Sequence, residues 1–260
     1  MTKLEKLKAD LRGLGELAVA FSGGADSSLL LRAAHDALGA RAIGITIRSP
    51  YMSPREIAEA VEFARAYGIR HEILELGVTE EIKDNPENRC YLCKKAVFSR
   101  LIERARELGF SRVADGTNRD DLGEYRPGLK AKEELGVLSP LINLTKSEIR
   151  ELSRELNLPT AEKPSYACLL TRLPHGREID ESELNLIEAA ENLLIASGYA
   201  NVRARCDRKN IKLQMPFSSM RDFLNDAKFK SVVRQLVTLG AAEVTLDLKG
   251  LREDVLYEGG

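Results

Sequence analysis

The sequence predicts an α/β fold, a parallel doubly wound sheet followed by a smaller C-terminal α+β domain. Three observations carry that expectation. Short β-branched or apolar runs alternate with amphipathic helical segments through the first two thirds of the 260 residues, the pattern of parallel strands joined by helical crossovers. A glycine turn links the first strand to the helix after it. Beyond residue 180 the order changes to a helix, two adjacent strands, more helix and a last strand.

In chain order, an amphipathic N-terminal helix runs into a buried strand, ELAVAF (16–21), and the helix ADSSLLLRAAHDAL (25–38) follows. RAIGITI (41–47) is the second strand. The helix SPREIAEAVEFARAYG (53–68) starts with Ser53 as N-cap, Pro54 at its first position and Glu56 closing a capping box. HEILEL (71–76) is a strand, KKAVFSRLIERARELG (94–109) a helix and SRVADG (111–116) a strand. TKSEIRELSRELN (145–157) is a helix with a second capping box, Thr145 with Glu148. Between 160 and 180 the pattern loosens into proline and turn formers, which sets a boundary between a domain at 1–165 and another at 166–260. The second holds a helix (180–197), strands NVRARC (201–206) and KNIKLQM (209–215) as an antiparallel pair, helix at 218–239 and the strand AAEVTLDL (241–248).

Composition narrows the function classes. At 43% hydrophobic and 30% charged residues the chain reads as an ordinary globular protein. No apolar run reaches the roughly 18 residues of a membrane span, and the N-terminus lacks the apolar centre of a signal peptide, so the expected setting is the cytoplasm, without a membrane partner. A net charge of −1 advertises no polyanion, and nucleic acid is not the expected partner. Four cysteines in a chain of this size are not a secreted disulfide scaffold.

The stretch AVAFSGGADSSLLL places Ser22, Gly23, Gly24, Asp26, Ser27 and Ser28 between a strand and a helix. Backbone N–H groups at a helix N-terminus lack partners and carry the positive end of the dipole, glycines admit close approach, and serines add donors. A lone pair of glycines would merely reverse the chain; the complete S-G-G-x-D-S pattern points to pyrophosphate. Neither G-x-x-x-x-G-K-[ST] nor G-x-G-x-x-G is present. The stretch resembles the PP-loop ATP pyrophosphatases. That resemblance implies ATP binding, transfer of AMP to a substrate oxygen and release of pyrophosphate, with Mg2+ on the phosphates held by Asp26 and, second, Asp121.

Cys90 and Cys93 in NRCYLCK read in three ways: as buried small hydrophobes, as a redox dithiol, or as two ligands of a metal or cluster. Their polar neighbours and their place at a helix start favour ligands. Cys168, in the irregular PSYACLLTR segment, is the natural third partner, and Arg172 beside it would lower a thiolate's pKa or hold an anion. Three cysteines suit a [4Fe–4S] cluster with one open iron; zinc with a fourth ligand competes, with His35, His71 and His175 available. Cys206 alternates with Arg203 and Arg205 and reads as structural.

Taken together, FSGGADSSLL, NRCYLCK, DGTNRDDLGEYRPGLKA, LTKSEIRELSRELNLPTAEKPSYACLLTRLPHG and VRAR resemble the LarE family of PP-loop sulfur transferases, over nearly the whole chain. The resemblance implies ATP-dependent conversion of a carboxylate of pyridinium-3,5-biscarboxylic acid mononucleotide to a thiocarboxylate, for the nickel-pincer nucleotide used by lactate racemase. It also implies a sulfide or other sulfur donor and a homo-oligomer. In one branch of the family the cysteine at the Cys168 position is consumed; in the other, three cysteines hold a [4Fe–4S] cluster, and Cys90, Cys93 and Cys168 make this chain similar to that branch. The resemblance places ATP phosphates on Ser22 to Ser28, adenine or ribose near Thr46 to Arg48 and Gly116, and the substrate's phosphate and carboxylates on Arg172, Arg203 and Arg205. Without it, VRAR reads as a strand with a solvated basic face. The chain departs from the family after VRAR, where CDRKNIKLQ replaces a His-Gly-like turn and Lys212 stands where an acidic residue is typical. Three rivals remain: a sacrificial enzyme that consumes Cys168, a tRNA-thiolating enzyme, and a regulatory module that binds nucleotide or metal without catalysis.

Overall fold

A computed structural model describes residues 2–123, 127–164, 166–199 and 201–251, apart from the side chain of residue 127. Residues 124–126 of the DGTNRDDLGEYRPGLKA motif lie outside the described residues. The chain divides into two compact units, Met1–Tyr166 and Ala167–Gly260.

In the first unit, α1 (Lys3–Leu14) starts at a full capping box, with Thr2 and Glu5 each bonding the other's backbone N–H. It leads into β1 (Leu17–Ala20), α2 (Ala25–Leu38), β2 (Ala42–Arg48), α3 (Pro54–Ala66) and β3 (Arg70–Glu75). Then come α4 (Arg89–Glu107), the short β4 (Val113–Ala114), α5 (Pro127–Glu134) and α6 (Lys146–Glu155). The sheet runs in the order β3-β2-β1-β4, and every pairing is parallel. Alternation along β1 decides which helices cover which face. Leu17 and Val19 join a core built with Leu4, Leu11, Leu30, Phe63 and Ile149 from α1, α2, α3 and α6, whereas Ala18 joins Val97, Phe98 and Leu101 of α4 on the other face. The doubly wound sheet is thus as the sequence predicts.

Local rules explain most element ends. Ser53 Oγ accepts the Glu56 N–H at 3.5 Å with proline at the start of α3, and the Thr145–Glu148 box that opens α6 has both halves in place, at 3.2 and 2.7 Å. Two features differ from expectation. The periodicity predicts a helix from Lys94, yet α4 begins at Arg89, so both cysteines of the C-x-x-C pair lie inside its opening turn. Helix α5 is eight residues long, too short for periodicity to reveal it.

The second unit holds α7 (Glu181–Ala196), capped by Asp180, whose carboxylate accepts the Ser182 N–H at 2.8 Å. Strands β5 (Arg203–Asp207) and β6 (Asn210–Gln214) pair antiparallel, helices α8 (Phe217–Asn225) and α9 (Phe229–Thr238) follow, and β7 (Glu243–Leu246) adds to β6 in parallel. The β5–β6 turn is two residues long, Arg208 and Lys209, with φ of 50° and 66°. That is the left-handed geometry of a tight hairpin without the glycine or asparagine that usually relieves it. Edge-to-face contacts of Tyr199 and Phe229 with Phe223, at 5.2 and 5.1 Å, pack α8 and α9.

Candidate functional site

The first unit carries the phosphate-loop residues at the C-terminal ends of its strands, where open α/β sheets bind ligands. Gly24 is the N-cap of α2 with an extended backbone and makes no side-chain cap bond, so the opening N–H groups of the helix have no side-chain competitor for an anion. The serines brace the turn: Ser22 N–H and Ser22 Oγ lie 3.3 and 3.1 Å from Ser27 Oγ, which donates to Gly24 O at 3.3 Å. Gly23 has φ 72° and a Cβ there would stand 3.0 Å from Ala60 Cβ. At Gly116 a Cβ would stand 2.9 Å from Ser27 N. Glycine at both places lets the loop sit directly on α3 and on the end of β4. Ser28 is fully buried, and its Oγ has no partner among the described residues.

The structure adds a charge that the motif does not announce. Lys146, the first residue of α6, sets its Nζ 2.8 and 2.6 Å from the two carboxylate oxygens of Asp26, while its N–H bonds Asp120 Oδ2 at 2.8 Å. A cation at the first position of a helix opposes the macrodipole, which is the sequence signal that could have marked Lys146 as needing an anionic partner. Lys163 reaches the loop from the other side, with Nζ 2.9 Å from Gly23 O and 2.6 Å from Glu59 Oε2.

The other nucleotide-facing candidates have defined roles in the fold. Thr46 Oγ1 donates to Phe21 O at 2.6 Å, so it must accept from His71 Nε2 at 2.8 Å; His71 carries its proton on Nε2. Burial pulls the His71 imidazole below its ordinary value, against Glu72. The Thr46 hydroxyl therefore ties the end of β2 to the residue before the loop. Arg48 pairs with Glu75 at 2.7 Å. Asp121 Oδ2 accepts the Asn118 N–H at 3.0 Å and closes the turn after Gly116. Beneath that turn Asp115 is buried with Lys132, which also reaches Thr117 Oγ1, and Ser139 donates to Asp115 at 2.9 Å.

Cys90 and Cys93 stand three apart on the opening turn of α4, a spacing that puts both thiols on one helix face. Cys90 is exposed; Cys93 is half-buried, 3.5 Å from the hydroxyl of Tyr51, a fully buried residue. Burial pushes the Cys93 thiol up, with Tyr51 and Lys94 acting against it. Two neighbouring cysteine sulfurs suit a soft metal or an iron–sulfur group, which binds them as thiolates. Among the described residues, no group of three or more His, Cys, Asp or Glu side chains is arranged to hold a metal ion.

In the second unit Cys168 is half-buried and directly precedes a short 3-10 turn, Leu169–Arg172. Arg172 ends that turn with only 3% of its surface exposed. Its Nε and Nη2 bond the two Glu191 oxygens at 2.9 and 3.2 Å, and its Nη1 donates to the carbonyls of Ala167 and Cys168 at 2.8 and 3.3 Å. Glu191 also accepts the Ala204 N–H at 3.0 Å. Arg205 donates from Nη1 to Thr171 O at 2.7 Å, and Arg203 lies two residues away along β5, on the same face. Cys206 faces the other way, 2% exposed, 3.5 Å from Glu183, its thiol pushed up to about 12 by burial and by that carboxylate. Lys212 sits 3.5 Å from Asp247.

No family model matches the chain. It is 37% identical to an uncharacterised protein of Synechocystis over 98% of its own length and 97% of that protein's. It is 34% identical to the pyridinium-3,5-bisthiocarboxylic acid mononucleotide synthase of Lactiplantibacillus plantarum, over 96% of this chain and 92% of the synthase. The chain belongs to the LarE family. A tRNA-specific 2-thiouridylase of Caldanaerobacter subterraneus is 28% identical over 56% of the chain and 52% of its own length. The synthase and the thiouridylase are sulfur-transferring PP-loop enzymes, and the first unit has the PP-loop fold. No helix among the described residues is long and apolar enough to cross a membrane. For a LarE-family chain, sequence reasoning missed Lys146, Lys163 and Glu191. Each acts through a partner far along the chain, so local spacing does not reveal the pairing, and only Lys146, a cation at the first position of a helix, carries a local signal.

Proposed function

We propose that this chain is an ATP-dependent sulfur transferase that adenylates a carboxylate of pyridinium-3,5-biscarboxylic acid mononucleotide and converts it to a thiocarboxylate. The observation that carries the reading is the 34% identity to a bisthiocarboxylic acid mononucleotide synthase over 96% of the chain. The phosphate-loop and cysteine motifs lie within it. The tRNA-thiolating alternative has support over only about half of the chain.

On this reading the Gly24 end of α2, with Ser22, Ser27 and Ser28, holds the ATP phosphates. Asp26 and Asp121 are the carboxylates for Mg2+, and Asp26 must exchange the Lys146 ammonium to serve it, which frees Lys146 for the phosphates. Thr46, through its backbone, with Arg48 and Gly116 borders the nucleoside. The substrate carboxylate oxygen attacks the α-phosphorus and pyrophosphate leaves; the sulfur nucleophile then attacks the acyl carbon and expels AMP, since adenylate is the better leaving group. Arg203 and Arg205 hold the substrate's phosphate and second carboxylate, each planar guanidinium fork matching a pair of anionic oxygens. Arg172 contributes by fixing the Cys168 loop, and serves the substrate directly only where it leaves Glu191.

Cys90, Cys93 and Cys168 are the proposed ligands of a [4Fe–4S] cluster, which when bound supplies a sulfide at its open iron. The two thiols on α4 fit two of its corners by spacing and chemistry. The test is product formation: anaerobic protein with ATP, Mg2+, sulfide and the dicarboxylate nucleotide should release AMP and pyrophosphate only when the nucleotide is present, and yield a product heavier by the exchange of oxygen for sulfur. Pyrophosphate release that ignores the nucleotide would contradict the proposal.

A further inference from the structure

We propose that Lys163 is a positioning residue for phosphate binding, locking the Gly23–Gly24 peptide in its anion-binding orientation. The assignment rests on the reading of Ser22 to Ser28 as the phosphate loop.

The peptide plane between Gly23 and Gly24 is flanked by two residues without Cβ, so little steric resistance opposes its rotation by half a turn. In a trans peptide the carbonyl and the N–H point in opposite directions. Here the Gly23 carbonyl points at Lys163 Nζ, 2.9 Å away. The Gly24 N–H is therefore on the other side, where its neighbour is Ser22 Oγ at a loose 3.4 Å. A flipped peptide would reverse this and set a carbonyl oxygen on the serine side, where it would repel a polyanion.

Lys163 is itself held. Its side chain is 11% exposed, Glu59 Oε2 lies 2.6 Å from its ammonium, and Arg150 bonds its carbonyl at 3.2 Å. Glu59 precedes Ala60, the residue on which Gly23 rests, so α3 carries both the seat of the loop and the anchor of the lysine. A cation on a carbonyl also polarises the amide, which makes the N–H of the same peptide a stronger donor. Lys163 thus acts twice on Gly24, by orientation and by polarisation, without touching phosphate.

The test compares Lys163→Met with the wild type, using pyrophosphate as the probe in calorimetry and the Gly24 amide resonance of the ligand-free protein as the readout of the peptide itself. The variant is expected to bind pyrophosphate about tenfold more weakly, the loss of one charge-assisted hydrogen bond, with the Gly24 proton shifted upfield before any ligand is added. Pyrophosphate affinity within about twofold of wild type overturns the assignment. Weaker binding with an unmoved Gly24 resonance also overturns it, because Lys163 would then be a direct phosphate ligand. If Lys163→Met does not fold, Glu59→Gln loosens the same ammonium and is expected to move the Gly24 resonance in the same direction by less; no movement overturns the proposal. Wild-type protein that binds no pyrophosphate would instead sink the phosphate-loop reading on which this assignment rests.

Discussion

In the first unit the glycine loop between β1 and α2 is shaped mainly by close packing, Gly23 against Ala60 and Gly116 against Ser27, and by weak serine bonds, with Lys163 on the Gly23 carbonyl from outside. In the second, the Cys168 loop is shaped by one buried cation, Arg172, clasped by Glu191 and turned onto the carbonyls of Ala167 and Cys168. The difference predicts how each fails. A loop of backbone donors loses its ligand when a methyl is added, with modest cost to the fold. A loop hung on a buried ion pair loses its fold when one charge is removed, because the remaining charge is stranded away from water.

The largest effect is expected at that ion pair. Glu191→Gln should lower the unfolding free energy by about 3–5 kcal/mol, read as a fall in the urea midpoint; a change below about 1 kcal/mol, the range of exposed pairs, would mean that Arg172 is not committed to Glu191. Next comes Gly116→Ala. Its Cβ would press on Ser27 N at 2.9 Å and on Asp26 Cβ at 3.0 Å. It should cost about 1–3 kcal/mol of stability and weaken pyrophosphate binding in calorimetry, and intact binding would show that the loop yields freely. Removing the cap of α6 with Thr145→Ala should cost about 1 kcal/mol in thermal melting, and it loosens the first turn that carries Lys146.

The smallest effect is a pH dependence confined to the first unit. His71 is half-buried with its value depressed by that burial, so the unfolded chain takes up the proton first on acidification. The stability it contributes is complete above its ordinary value of 6.5 and is lost as pH falls from there toward the lower folded value. Urea midpoints at a series of pH values should decline below that point, and His71→Asn should make the decline shallower. An equal slope in the variant would remove His71 from the account.

The same contrast governs what could be read from the amino acids. The strand, glycine turn and helix at 16–38 were legible because a backbone site is written in contiguous residues. The caps at Ser53 and Thr145 were legible for the same reason. Arg172 was named from its place beside Cys168, but its partner Glu191 lies 19 residues on, in the middle of a helix whose periodicity makes no distinction between a buried acid and an exposed one. Lys146 and Asp26 are 120 residues apart. Turn chemistry failed at Arg208 and Lys209, where pairing between β5 and β6 holds two side-chain-bearing residues at positive φ. Periodicity starts α4 more than a turn late, at Lys94 instead of Arg89, because the C-x-x-C stretch is too polar to join the apolar stripe that follows, although it continues the same helix.

The proposed function turns on whether Cys90, Cys93 and Cys168 would hold a [4Fe–4S] cluster that supplies the sulfide, so that no cysteine is consumed. The most direct measurement is the intact mass of anaerobically prepared protein before and after turnover with ATP, sulfide and the dicarboxylate nucleotide, alongside its iron and acid-labile sulfide. The account predicts an unchanged polypeptide mass and a [4Fe–4S] complement that is lost in Cys90→Ala and Cys93→Ala. A polypeptide lighter by the elements of hydrogen sulfide, with the loss mapped to Cys168, would contradict it.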